Sequence, residues 1–235
     1  MTKHLVVVAG NIGAGKTTLV ELLAKHFGWE PQYEAIDGNP YIEDFYQDMK
    51  RWSFNLQIYF LNTRFEHNIA IQRNQALNII QDRTIYEDSY IFAENLHDMA
   101  LMGTRDYENY QAIFGSIKEF IKPPDLLIYL KASVPTLVKQ IQRRGREYEV
   151  GIRLDYLSKL NERYENWINN YKESKLLIIN VDKVNFVDDR EELGKVIENI
   201  HGELFGLFKE VKSTKANTDS KVGKEIKIPK AVKVK

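Results

Sequence analysis

The 235-residue chain contains no cysteine, which excludes disulfides, thiolate metal sites and a cysteine nucleophile. Long apolar runs are missing too: residues 5–9 and 126–130 are among the longest, far short of the about 20 residues that a membrane-spanning helix takes. The first apolar run leads straight into a glycine-rich loop, so the N-terminal segment is not expected to be a secretory signal. Net charge is absent, with 33 basic against 33 acidic residues, so a globally basic nucleic-acid-binding surface is not indicated. Two recognition motifs are also lacking. No Asn-Lys-x-Asp stretch exists to read a guanine base, and no hydrophobic strand ends in the Asp-Glu pair of a remodelling ATPase.

What is present is ordinary for one soluble α/β domain: 43% hydrophobic and 28% charged residues. The balanced charge hides an asymmetry. From Lys212 to Lys235 eight lysines face only Asp219 and Glu225, a local charge of +6 that leaves −6 on the first 211 residues. The division is therefore a domain over 1–211 and a Lys-rich extension over 212–235. The extension reads as solvated, with a weak electrostatic contact to an acidic partner as the alternative.

The body alternates two periodicities. Strands are expected at 5–9, 32–36, 76–80, 125–130 and 176–180, mostly as apolar runs without polar alternation, the mark of strands buried on both faces. Helices are expected at the stripe Leu19, Leu22, Leu23 and Phe27, at 41–75 in two pieces divided around 49–53, and at 89–102, 106–121, 136–143, 155–171 and 189–208. Pro123 and Pro124 stop the helix before them. This alternation predicts an α/β fold: a five-stranded parallel sheet with helices on both faces. Ligands of such sheets sit beyond the carboxyl ends of the strands.

Gly10-Asn11-Ile12-Gly13-Ala14-Gly15-Lys16-Thr17, with Thr18 after it, is a G-x-x-x-x-G-K-[ST] loop between the first strand and the first helix. Glycines let backbone N–H groups surround a phosphate at a helix N-terminus, while Lys16 reaches the β- and γ-phosphates and the Thr17 hydroxyl suits Mg²⁺. The chain is thus expected to bind a nucleoside triphosphate, and its length suits a small-molecule kinase. Two other strand ends carry charge: Glu34, then Asp82 and Arg83. A carboxylate there could take the proton of an attacking hydroxyl, and an arginine could neutralise the moving phosphoryl group. Arg143-Arg144-Gly145-Arg146-Glu147-Tyr148-Glu149 is either a solvated turn or an arginine-rich lid that closes over the phosphates. Taken alone, Gln57 reads as a surface amide and Phe92 as a core residue.

These pieces together resemble the deoxynucleoside kinase family of deoxyadenosine, deoxyguanosine and deoxycytidine kinases. The resemblance rests on GNIGAGKTT, the glutamate of YEAIDGNP, RWSFNLQIYFLNTRF, DRTIYEDSYIFA and RRGREYE, in family order over roughly residues 3–208. It implies ATP·Mg²⁺-dependent phosphorylation of a deoxyribonucleoside 5′-hydroxyl. Glu34 would be the general base, Arg83 the cation beside it and Asp82 the carboxylate near Mg²⁺. Gln57, Arg64 and Asp88 would read the base, with Phe92, and Phe54 or Phe60, stacking on it. Tyr46 and Glu149 would hold the sugar 3′-hydroxyl, and Arg144 and Arg146 would face the ATP phosphates. Gln140 stands where the family often has a further arginine, and Arg143 is the candidate substitute. An Arg64–Asp88 pair suits an exocyclic amino group, so purine deoxynucleosides are expected, deoxyadenosine first. The resemblance further implies a homodimer, and the missing cysteines, signal and membrane span lead to the expectation of a cytoplasmic protein. The rival readings are a thymidylate-type monophosphate kinase and a nucleotide-gated regulatory module.

Overall fold

In the computed structural model, residues 3–34, 36, 38–73 and 77–206 are described. The Lys-rich extension from residue 212 and the expected helix end at Phe208 lie outside them, as do Asp37 and the start of the expected third strand at Ala76.

The five strands are β1 (Leu5–Gly10), β2 (Glu30–Gln32), β3 (Ile79–Asp82), β4 (Leu126–Lys131) and β5 (Lys175–Asn180). They form one sheet in the order β2-β3-β1-β4-β5, with every pairing parallel. In β1 the successive residues Val6, Val7, Val8 and Ala9 are all buried, although alternate side chains of a strand point to opposite faces. The centre of the sheet is therefore covered on both sides, as the unalternated apolar runs predict. Each of the three valines contributes about 1.5–3 kcal/mol by leaving water.

The principal helices are α1 (Lys16–Phe27), α2 (Ile42–Gln47), α3 (Met49–Arg73), α4 (Ile85–Glu87), α5 (Glu94–Asp98), α6 (Thr104–Lys118), α7 (Val134–Arg144), α8 (Leu154–Asn169) and α9 (Arg190–Phe205). A π-helical segment, Asp88–Ala93, joins α4 to α5. Among the described residues no helix is long and apolar enough to cross a membrane.

Three boundaries differ from the sequence reading. The second strand ends at Gln32 rather than Ile36, because its aromatic Tyr33 points to solvent and the chain turns at once, Ile36 N–H donating to Glu34 O at 2.8 Å. The division of the 41–75 helix falls at Asp48, ahead of Met49. There the backbone leaves helical geometry (φ −141°, ψ 82°) and the Asp48 carboxylate accepts the N–H of Arg51 at 3.0 Å, the work of an N-cap. The expected helix 89–102 is a π segment followed by one short turn, not a uniform α-helix.

Candidate active site

The carboxyl ends of β1, β2 and β3 open into one cavity of about 810 Å³. The loop after β1 forms its floor. Lys16 is buried there, its ammonium donating to the Asn11 carbonyl at 3.1 Å. Burial, and then the charge of Arg83, bring its pKa down to about 8. At neutral pH Lys16 is still mostly protonated, and an arriving phosphate would favour that form further. Gly13 has φ +85°, and a Cβ on it would meet Ile141 Cγ1 and Leu137 O of α7 at 2.8 Å each, so the loop is packed hard against the helix that leads into the arginines.

Beyond β3, Arg83 adopts φ 70°, a left-handed conformation that costs a non-glycine residue roughly 1–2 kcal/mol. Its backbone is held there: Arg83 N–H donates to Val8 O at 2.9 Å, and Gln81 Nε2 donates to Arg83 O at 2.9 Å. The bend turns its guanidinium toward Glu34, two residues past β2, with Nε 3.0 Å from Glu34 Oε1 in a charge pair rather than an aligned hydrogen bond. Arg64 of α3 reaches the same oxygen, its Nη2 donating at 2.7 Å. Burial would raise the Glu34 carboxyl, but Arg83, Arg64 and Lys16 overcome it and hold the pKa down at about 2. Arg64 also pairs with Asp88. Burial pushes Asp88 up to about 7 against the pull of both guanidiniums.

The base-reading candidates lie in the same cavity. Gln57 is buried in its wall with an Oε1 that has no hydrogen-bond partner. Phe60 and Phe92 line it as well, and the Phe92 ring carries the Arg83 guanidinium 4.6 Å from its centroid. Phe54 does not: it packs against a separate apolar cluster around Leu61, Ile85 and Phe114. The stacking role considered for Phe54 is corrected: six residues before Phe60, it lies about 120° around α3 from it, on the face that packs against that cluster rather than on the cavity wall. Tyr46 lines the cavity and stacks on Tyr148 at 5.8 Å. Glu149 is buried and is gripped by Arg144, whose Nη2 donates to Oε1 and Oε2 at 2.6 and 2.7 Å, with Arg146 Nη1 at 3.7 Å. Arg144 and Glu149, expected at different substrates, thus face each other here.

Thr17 Oγ1 donates to Asp82 Oδ2 at 2.6 Å, while Asp82 Oδ1 is buried without a partner. Hard oxygen donors with one unsatisfied atom fit Mg²⁺, which commonly takes one or two carboxylates and completes its shell with substrate phosphates and water.

Sequence reasoning missed two groups. One is the segment after β5, where Asp182, Asn185, Phe186 and Val187 wall the cavity together with Gln140 and Arg143. Its position just past a strand's carboxyl end is the signal that could have drawn attention to it. The other is Glu87, fully buried, whose Oε2 accepts Thr84 N–H at 2.6 Å while Glu87 N–H donates to Thr84 Oγ1 at 3.0 Å. The Thr-x-x-Glu spacing of a capping box announces that pair.

A family model described as deoxynucleoside kinase matches residues 6–205. The chain is 36% identical to a deoxyadenosine/deoxycytidine kinase of Bacillus subtilis, over 83% of this chain and 91% of that one. It is 37% identical to a deoxyadenosine kinase of Lactobacillus acidophilus, over 86% and 96%, and 35% identical to a deoxyguanosine kinase of the same organism, over 85% and 90%. Among solved structures, a deoxyadenosine kinase from M. mycoides with bound dATP superposes with a TM-score of 0.75 at 28% identity, over 84% of this chain and 99% of that one. A phosphate-binding loop and a carboxylate–arginine pair in one cavity, at the ends of a five-stranded parallel sheet, agree with these matches over most of the sequence: the chain belongs to the deoxynucleoside kinase family and is an enzyme that phosphorylates deoxynucleosides.

Proposed function

We propose that the chain transfers the γ-phosphoryl group of ATP to the 5′-hydroxyl of a purine deoxyribonucleoside, deoxyadenosine before deoxyguanosine or deoxycytidine. The observation that carries this reading is the convergence of Lys16, Glu34 and Arg83 on one cavity. The backbone from Gly10 through Thr18 cradles the triphosphate, Lys16 neutralises its terminal oxygens, and Arg144 and Arg146 swing from Glu149 to the phosphates. Thr17 and Asp82 are the residues that would hold Mg²⁺, which, when bound, neutralises charge on the transferring and leaving oxygens.

Glu34 takes the proton of the 5′-hydroxyl. With a pKa of about 2 in the free site it is ionised at any working pH but weakly basic. The entering hydroxyl displaces part of its pairing with Arg64 and Arg83, and basicity rises as that charge is withdrawn. Arg83, freed on that side, faces the moving phosphoryl group. Tyr46 and Glu149 receive the sugar, Glu149 being released when Arg144 turns to ATP. Gln57 and Asp88, the latter oriented by Arg64, read the base edge between Phe60 and Phe92; a carboxylate acceptor favours the exocyclic amine of adenine or cytosine over thymine. The same reading takes the protein as a cytoplasmic homodimer, with the partly buried Phe54, Ile58 and Phe65 and the exposed Ile113 as a mating face.

The test is ADP release from ATP with each of four deoxynucleosides and their monophosphates. The expected result is turnover with nucleosides only, with the highest kcat/KM for deoxyadenosine. Turnover with thymidine monophosphate alone would instead make the chain a monophosphate kinase, and no turnover with any of them a binding module.

A further inference from the structure

Arg83 has two sides. Its Nε faces Glu34, and its far Nη1 is held by groups that no step of the transfer uses. Nη1 donates to the Tyr164 hydroxyl at 2.6 Å, and that hydroxyl donates to Glu87 Oε1 at 2.8 Å. The same Oε1 accepts the N–H of Gly10, the first residue of the phosphate-binding loop, at 3.2 Å, and lies 3.5 Å from Arg83 Nη1 itself. The other carboxylate oxygen is occupied by Thr84 N–H. Both Glu87 and Tyr164 are fully buried, at 0% exposure. A buried carboxylate is costly unless it is paired and hydrogen-bonded, and this one has its oxygens satisfied by the catalytic arginine's surroundings. Burial, and then the charge of Glu87 against the opposing pull of Arg83, keep Tyr164 protonated, so it serves as a donor to Glu87 while accepting from Arg83.

We infer that Glu87 and Tyr164 are positioning residues that fix the Arg83 guanidinium relative to the phosphate-binding loop. The need is chemical and rests on the transfer reaction proposed above. When Glu34 accepts the hydroxyl proton it becomes neutral and ceases to be a counter-charge for Arg83, at the moment when the guanidinium must stay aimed at the phosphoryl group. Glu87 lies on the side of Arg83 away from the reacting hydroxyl, and its bond to Gly10 ties the arginine and the loop holding the phosphates into one unit. The left-handed backbone of Arg83 aims the side chain between these two carboxylates.

Tyr164→Phe removes one oxygen and leaves the ring that stacks on Tyr129. Its steady-state kinetics, and those of Glu87→Gln, are compared in the parent and in an Arg83→Lys background, with melting temperatures read alongside. Residues acting as one unit are non-additive, so each variant is expected to lower kcat about tenfold in the parent, with nucleoside KM within about threefold, and to cost less than about twofold further beside Arg83→Lys. Should Tyr164→Phe fail to fold, Glu87→Gln is judged by the same criterion. Equal losses in the two backgrounds, a change confined to KM, or unchanged kcat in the parent would overturn the inference while leaving the reaction intact. A parent chain that phosphorylates no nucleoside would overturn the proposed reaction and this inference together.

Discussion

Burial and charge act against one another at each reactive side chain, and the winner differs from residue to residue. At Glu34 three nearby cations defeat burial; at Asp88 burial prevails although two guanidiniums lie close; at Lys16 burial lowers the pKa of an ammonium, which a phosphate would raise again. Asp88 gives a pH prediction. The ionised carboxylate is the stronger acceptor from an exocyclic amine and the counter-charge of Arg64, and its pKa in the free site is raised to about 7. kcat/KM for deoxyadenosine reports the free enzyme, so it should rise with pH through about 7 and level off above it. In Asp88→Asn that limb should disappear; the same limb persisting in the variant would detach it from this residue. Much at this scale was readable in advance because strand ends carry ligands: Lys16, Glu34, Asp82, Arg83, Arg64 and Asp88 were all named from motif and resemblance, and they do come together in one place. Glu87 and Tyr164 were given no role: the Thr-x-x-Glu spacing speaks only of a helix cap, and the two become informative about Arg83 only once folding buries them against it, from four and 81 residues away in sequence.

Among the elements, type was more readable than boundary. The four strands marked by apolar runs, β1, β3, β4 and β5, were anticipated close to where they lie, whereas β2 carries no such run and shares only Gln32 with the expected strand. The second was misplaced by its aromatic and aliphatic residues, Tyr33 and Ile36, which belong to the turn that presents Glu34 rather than to the sheet. The helix break at Asp48 depends on a side chain capping a backbone N–H, a local rule that outweighed the apolar pattern across it. No periodicity marks the π segment, though such segments recur at functional sites and this one carries both Asp88 and Phe92. The loop after β1 offers the test at this scale. In Gly13→Ala the new methyl would confront Ile141 and the Leu137 carbonyl at 2.8 Å on α7, at a φ that disfavours any side chain. Strain of about 1–2 kcal/mol corresponds to roughly tenfold weaker triphosphate binding. Titration of a non-hydrolysable ATP analogue should show that loss, with nucleoside affinity changed less than threefold; equal triphosphate affinity in the two proteins would mean that the loop does not need the glycine.

For the molecule as a whole, the sheet order brings together what the chain keeps apart. β1 lies between β3 and β4, and the crossovers through α1 and α3 return β2 and β3 to its side, so a loop at residue 10, a glutamate at 34 and an arginine at 83 open onto one cavity. The parallel architecture could be foreseen from strand–helix alternation alone. The arrangement inside the cavity could not, because the grip of Arg144 on Glu149 and the wall formed after β5 depend on how α7 and β5 pack. The central claim is that a carboxylate carried to this point by β2 removes the proton of the sugar hydroxyl. Single-turnover transfer from labelled ATP to deoxyadenosine, with enzyme in excess, measures that step for the parent and for Glu34→Gln, with nucleoside affinity determined by titration. Losing a positioned general base costs about 10²–10⁴ in rate, so the variant should transfer at least about a hundredfold more slowly while binding deoxyadenosine within about threefold of the parent. A single-turnover rate equal to the parent's would contradict it.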